Sequence, residues 1–112
     1  MRKLQNFKGG YSTELVNVIF KAGKPFVSAT IDPEPIYHYN ADERRRTDEL
    51  EAYRVYVAQP GVQNPVPVKI MTTTDKPKVP FGQTVVLDTL EACEVQGHYY
   101  LRAAAIEAVK EG

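Results

Sequence analysis

The sequence predicts an all-β domain with minor α content, a small five-stranded antiparallel barrel of the oligonucleotide/oligosaccharide-binding (OB) kind; a β-sandwich is the alternative. Three observations carry this. Short runs alternate apolar and polar residues with period two, prolines and glycines stand at the joints between them, and no long segment shows a helical period. A chain of 112 residues can bury one core and hardly two, so residues 1–112 read as one domain.

In chain order, Val16, Val18 and Phe20 alternate with Asn17 and Ile19, and Phe26 to Ile31 is a second β-prone run beyond Ala22-Gly23-Lys24-Pro25, which together read as a hairpin. Asp32-Pro33-Glu34-Pro35 then predicts a loop, because proline lacks an amide donor and biases its predecessor toward extended backbone. Residues 40–51 are polar, with Leu50 the only large apolar side chain. With so little to bury, this stretch is expected to be an inserted loop or weak helix.

Ala52 to Ala58 is the clearest strand, with Tyr53, Val55 and Val57 on one face and Arg54 and Tyr56 on the other. Gln59-Pro60-Gly61 supplies a turn. Val66, Val68 and Ile70 then alternate with Pro67, Lys69 and Met71, and Pro67 predicts an edge or a strand start. After the extended linker Lys76 to Gly82, a β-branched run from Thr84 is expected to continue to Val95. Gln96-Gly97 turns the chain into a second hairpin with Tyr99, Leu101 and Ala103 inward and Tyr100 and Arg102 outward. Ile106 has the opposite parity from Leu101, which predicts a bulge near Ala104 or a short helix.

Composition narrows the function classes. At 43% hydrophobic and 25% charged, the chain is of ordinary globular composition. The apolar run Leu15 to Phe20 is far shorter than the roughly 20 residues of a membrane span. The basic start Met1 to Phe7 lacks the apolar stretch of a secretory signal, so a cytoplasmic location is expected. Cys93 is the only cysteine, which excludes an internal disulfide and a multi-cysteine zinc site. Fourteen basic and fourteen acidic residues cancel, but not locally: residues 1–31 sum to +4, 32–51 to −4, 52–87 to +3 and 88–112 to −3. Recognition of a polyanion would depend on that local field, since the molecule as a whole exerts no long-range pull.

No catalytic constellation can be assembled. Cys93 among Leu90, Ala92 and Val95 reads as a buried structural thiol, and His38 and His98 read as surface residues. Asp42-Glu43 with Asp48-Glu49-Glu51 lacks calcium-loop spacing and has Arg44, Arg45 and Arg46 interleaved, so a solvated face is expected rather than a metal site. Gly9-Gly10 and Gly23-Lys24 are too isolated to cradle a phosphate. Neither an enzyme nor a cofactor is expected.

What remains is a set of outward positions on neighbouring strands: Arg54, Tyr56, Lys69, Tyr100 and Arg102. Cations that track phosphates and rings that stack on unpaired bases are the means by which proteins hold single-stranded nucleic acid. The plainer alternative makes the two tyrosines half-buried cross-strand partners and the basics solubility residues.

Tyr53-Arg54-Val55, Val66-Pro67-Val68-Lys69-Ile70, Phe81-Gly82-Gln83-Thr84-Val85-Val86-Leu87 and Tyr100-Leu101-Arg102-Ala103-Ala104-Ala105-Ile106 also occur in an order that resembles a small domain family of Gram-positive conjugative transposons and plasmids. The resemblance covers about residues 52–109 and leaves residues 1–51 outside it. It implies an OB-like barrel and, from one branch of the family, a processivity factor that assists the helicase unwinding element DNA. Its matching positions here are Tyr53, Lys69, Tyr100 and Arg102, with Tyr53 on the core side. The expectation is thus a non-catalytic single-stranded DNA-binding accessory protein of a mobile element, with a helicase or relaxase as protein partner. The competing expectation is a protein-interaction or structural module of a phage or conjugation apparatus, which would form homo-oligomers indifferent to DNA.

Overall fold

The computed structural model describes residues 10–72 and 75–109. Within them one helical turn, α1 (Val16–Ile19), precedes eight strands: β1 (Phe26–Ser28), β2 (Glu34–Asn40), β3 (Arg45–Ala58), β4 (Val66–Ile70), β5 (Thr84–Asp88), β6 (Glu91–Val95), β7 (His98–Ala103) and β8 (Ala105–Ala108). The strands form a single open sheet in the order β6-β7-β4-β3-β1-β5-β8, with β2 also paired to β3. The chain is therefore mostly β, as expected, but with eight strands where five were expected.

Strand β3 organises the sheet because its length lets it serve three partners. One edge pairs with β4 through Tyr53–Val57, and the other pairs with β2 through Arg45–Arg54 and with β1 at Val57 and Ala58. Between β2 and β1 the ladder is interrupted, and Thr30 fills the gap: its hydroxyl accepts from the Tyr56 amide at 2.8 Å and donates to the Tyr56 carbonyl at 2.9 Å. Ser28 Oγ accepts from the Thr30 amide and donates to the Val79 carbonyl. Both residues are buried, so their hydroxyls meet the rule that a buried polar group must be paired.

The inward side chains form one core of Phe20, Val55, Val57, Val68, Ile70, Val79, Val85, Ala92, Leu101, Ala103 and Ile106. Contributions from both ends of the sheet meet there, so the sheet is curled around its core rather than flat. All pairings are antiparallel except β4 with β7, which is parallel, with Lys69 opposite Arg102 and Ile70 opposite Ala103. Ala104 alone separates β7, paired with β4, from β8, paired with β5. The parity change expected between Leu101 and Ile106 falls at this residue.

Four sequence expectations need correction. Residues 16–20 are not a strand: Leu15, Val16, Ile19 and Phe20 pack on the core while Val18 is exposed, and this spacing of one, four and five is helical rather than period two. Residues 34–40 are a strand rather than a loop, and Pro35 is tolerated because, among the described residues, β2 has no partner on its outer edge. Residues 40–51 are neither helix nor inserted loop. They are the tip and half of a β2–β3 hairpin whose turn, Ala41 to Arg44, is closed by Asn40 Oδ1 accepting the Asp42 and Glu43 amides. Neither face of this arm is fully buried, so no apolar period betrays it; the backbone ladder and the Arg46 guanidinium lying 5.3 Å from the Tyr37 ring centre hold it instead. The run from Thr84 to Val95, finally, is two strands, broken where Thr89 takes φ of 56°.

The remaining expectations at the joints hold. Gln96 and Gly97, with φ of 52° and 85°, have the two positive values of a type I′ hairpin turn. Pro67 is the second residue of β4, ahead of the β7 pairing that begins at Lys69. Leu101 and Ala103 point inward as expected, whereas the expected inward placement of Tyr99 is corrected: it is 39% exposed, because the end of the β6–β7 hairpin at His98 to Tyr100 lies beyond the core.

Two stability outcomes follow from these contacts. Thr30→Val strands the Tyr56 amide, while the Tyr56 carbonyl keeps the Ala29 amide, so chemical denaturation should show a loss of about 1–3 kcal/mol that Thr30→Ser largely avoids. Gln96→Asn places the preferred residue at the positive-φ turn position and should stabilise by about 0.5 kcal/mol in the same assay.

Candidate nucleic-acid interface

The five positions singled out from the sequence lie on one outward face. Register fixes this: Arg54 is opposite Lys69 across β3–β4, and Lys69 is opposite Arg102 across β4–β7. The three cations form a row at right angles to the strands, its neighbours about 4.8 Å apart at the backbone. Two residues along, Tyr56 is opposite Pro67, and continuing the parallel register brings Pro67 beside Tyr100. A row of rings thus runs alongside the row of cations, about 7 Å away.

A groove of about 210 Å³ lies between them, lined by Arg54, Lys69, Pro67 and Tyr100 together with Tyr11 and Ile36. Tyr100 is half-exposed and available to a ligand, whereas Tyr56 is partly buried and flanks the groove without lining it. Tyr53, opposite Ile70, is partly buried on the core side of β3.

Tyr11 and Ile36 carried no signal in the sequence, because neither belongs to a run with a readable period. The backbone of Ser12 exchanges two hydrogen bonds with Ala92 on the outer edge of β6, at 2.8 and 2.9 Å. This sets the Tyr11 ring on the outward face, where the Arg102 guanidinium carbon lies 3.9 Å from its centroid. Burial and the neighbouring Cys93 thiol hold the Tyr11 phenol above its ordinary range, so it is neutral at physiological pH. Cys93, opposite Tyr100, is buried as expected but stands apart from the main core.

The electrostatics of the face are more balanced than the cation row suggests. Arg54 Nη1 lies 3.4 Å from Glu34 Oε1, Lys69 Nζ 3.8 Å from Glu51 Oε1, and Arg102 Nε 3.0 Å from Glu91 Oε1. Every cation of the row thus has a carboxylate, and three positive charges face three negative ones. Glu34 and Glu91 stand on the strands that flank the row, and the cation side chains stay 34–45% exposed. Glu34 and Glu91 stand directly opposite Arg54 and Arg102 in the β2–β3 and β6–β7 hairpins, a placement set by strand pairing that hydrophobic periodicity does not reveal.

Among the described residues there is no group of three or more histidine, cysteine or carboxylate side chains placed to hold a metal, and no helix long and apolar enough to cross a membrane. The acidic residues of 42–51 are instead spread along the β2–β3 arm, where Glu43 pairs with Arg45. The ring and charge pattern of the groove suits a ligand that is flat and anionic by turns, because rings offer faces for stacking and guanidinium groups offer forked donors to phosphate. No protein-family model, curated protein or solved structure matches the chain.

Proposed function

We propose that this chain is an OB-type barrel that holds single-stranded DNA on the β3–β4–β7 face, as a non-catalytic, cytoplasmic accessory protein of a mobile genetic element working beside a helicase or relaxase. The observation that carries this reading is the pair of adjacent rows, cations Arg54, Lys69 and Arg102 beside rings Tyr56 and Tyr100. One row suits phosphates and the other suits unpaired bases.

The pairing circuit supports the barrel. If β1 and β2 count as one interrupted strand, β7 and β8 as one bent strand, and β6 as part of the connection between β5 and β7, five strands remain, each paired to two others, with a parallel contact between the third and the last. OB barrels bind oligonucleotides on the face of their second and third strands and with the loops that join strands one and two and strands four and five. On that correspondence the ligand face is β3 and β4, the first loop is the β2–β3 arm, and the second carries β6. The groove lies in this region.

Protein recognition is favoured by a different observation, the carboxylate beside each cation, because a neutral face of mixed charge and rings suits a protein surface as well. In that reading Tyr100 and Arg102 are interface anchors.

Anisotropy of fluorescein-labelled oligo(dT) separates the two. Single-strand binding should be detectable at about 50 mM salt and weaken toward 200 mM as phosphate contacts give up their counterion release. Tyr100→Ala should weaken it by about tenfold or more, the loss of one stacked base, and Arg102→Ala should weaken it and flatten the salt dependence. No binding at low salt, together with concentration-dependent oligomers in sedimentation, would favour the protein-interface reading.

A further inference from the structure

The five-residue row running across the outward face is Glu34, Arg54, Lys69, Arg102 and Glu91, contributed by β2, β3, β4, β7 and β6 in that order. Its ends are acidic and its middle is basic. A third carboxylate, Glu51, reaches Lys69 by a local irregularity: Ile36 is opposite Ala52 while Tyr37 is opposite Leu50, which leaves Glu51 unmatched. A bulge of this kind re-aims a side chain, here to the cation at the centre of the row.

We propose that Glu34, Glu51 and Glu91 are affinity-setting residues, built-in competitors that occupy the cations until a phosphate-bearing strand displaces them. The inference rests on the single-strand reading and specifies its regulation. The three contacts are graded. Arg102 is held most firmly, with its Nε donating to Glu91 and its guanidinium against the Tyr11 ring, yet its terminal nitrogens still have donors to offer. Arg54 donates to Glu34 at 3.4 Å. Lys69 and Glu51, at 3.8 Å, are beyond hydrogen-bond distance, so the middle of the row opens most easily.

Exposed pairs of this sort are individually weak. A lone anion meeting one cation gains little over the carboxylate already there. A strand that engages three cations at once replaces three such contacts in one event, so the face discriminates in favour of a continuous chain of phosphates.

The test compares the native chain with Glu34→Gln/Glu51→Gln/Glu91→Gln and with a control, Glu14→Gln/Glu94→Gln/Glu107→Gln, which removes the same charge from exposed residues outside the row. Oligo(dT) affinity is measured across a salt series. The row variant should bind about tenfold or more tightly than the native chain, with a salt slope steeper by up to about two, three single-strand phosphates at roughly 0.7 each. The control should change affinity by less than about threefold. Should the triple variant fail to fold by circular dichroism, Glu91→Gln alone should tighten binding about threefold.

Equal affinity and slope for native and row variants, or equal tightening by the control, would overturn the competitor role while leaving single-strand binding standing. Binding by neither native chain nor row variant would overturn both.

Discussion

The parallel pairing of β4 with β7 is the constraint on which the rest depends. It is the one pairing in the sheet between strands that run in the same direction, and it joins segments more than thirty residues apart through Lys69 opposite Arg102 and Ile70 opposite Ala103. On the inner side it places Ile70 and Ala103 in the core. On the outer side the same register, carried across β3 by Arg54 opposite Lys69, makes the cation row. Because side chains alternate strictly along a strand, a slip of one residue here would bury the cations and expose the core. The core therefore enforces the site: burying Val55, Val68, Ile70 and Leu101 leaves Arg54, Lys69, Tyr100 and Arg102 no face but the outer one.

Charge on this face is local and compensated. A molecule with no net charge gains nothing from long-range steering, so any polyanion must be held by contact. The carboxylates of Glu34, Glu51 and Glu91 balance the charge of the row, and under the proposed function the rings of Tyr11 and Tyr100 would supply an attraction that does not depend on charge. Stacking and phosphate exchange would thus share the affinity, and the face would respond to ionic strength less steeply than an uncompensated cationic groove.

The fold is legible in the sequence where burial is one-sided. Residues 53–57 of β3, strand β4 and residues 100–103 of β7 alternate because one face meets the core and the other is outward, and that alternation by itself assigns Arg54, Tyr56, Lys69, Tyr100 and Arg102 to the outer face. Two other circumstances hide the fold. The β2–β3 arm has no fully buried face, so its strands are set by backbone pairing, the Asn40 turn and the stack of Arg46 on Tyr37, none of which leaves a hydrophobic period. Around Leu15 to Phe20 the opposite problem arises: a run apolar at nearly every position satisfies both periods, and only contact with the core chooses the helical turn. The Glu34 and Glu91 partners and the Tyr11 stack are products of strand pairing and so emerge only once register is known.

The decisive measurement is a nuclear magnetic resonance titration with oligo(dT) that follows the backbone amide shifts. Single-strand binding on the β3–β4–β7 face should concentrate perturbations at residues 54–56, 68–69 and 100–102 and at Tyr11, with the β5–β8 ladder unchanged. Shifts gathered instead on β5 and β8, or an unaltered spectrum at saturating oligonucleotide and low salt, would contradict it.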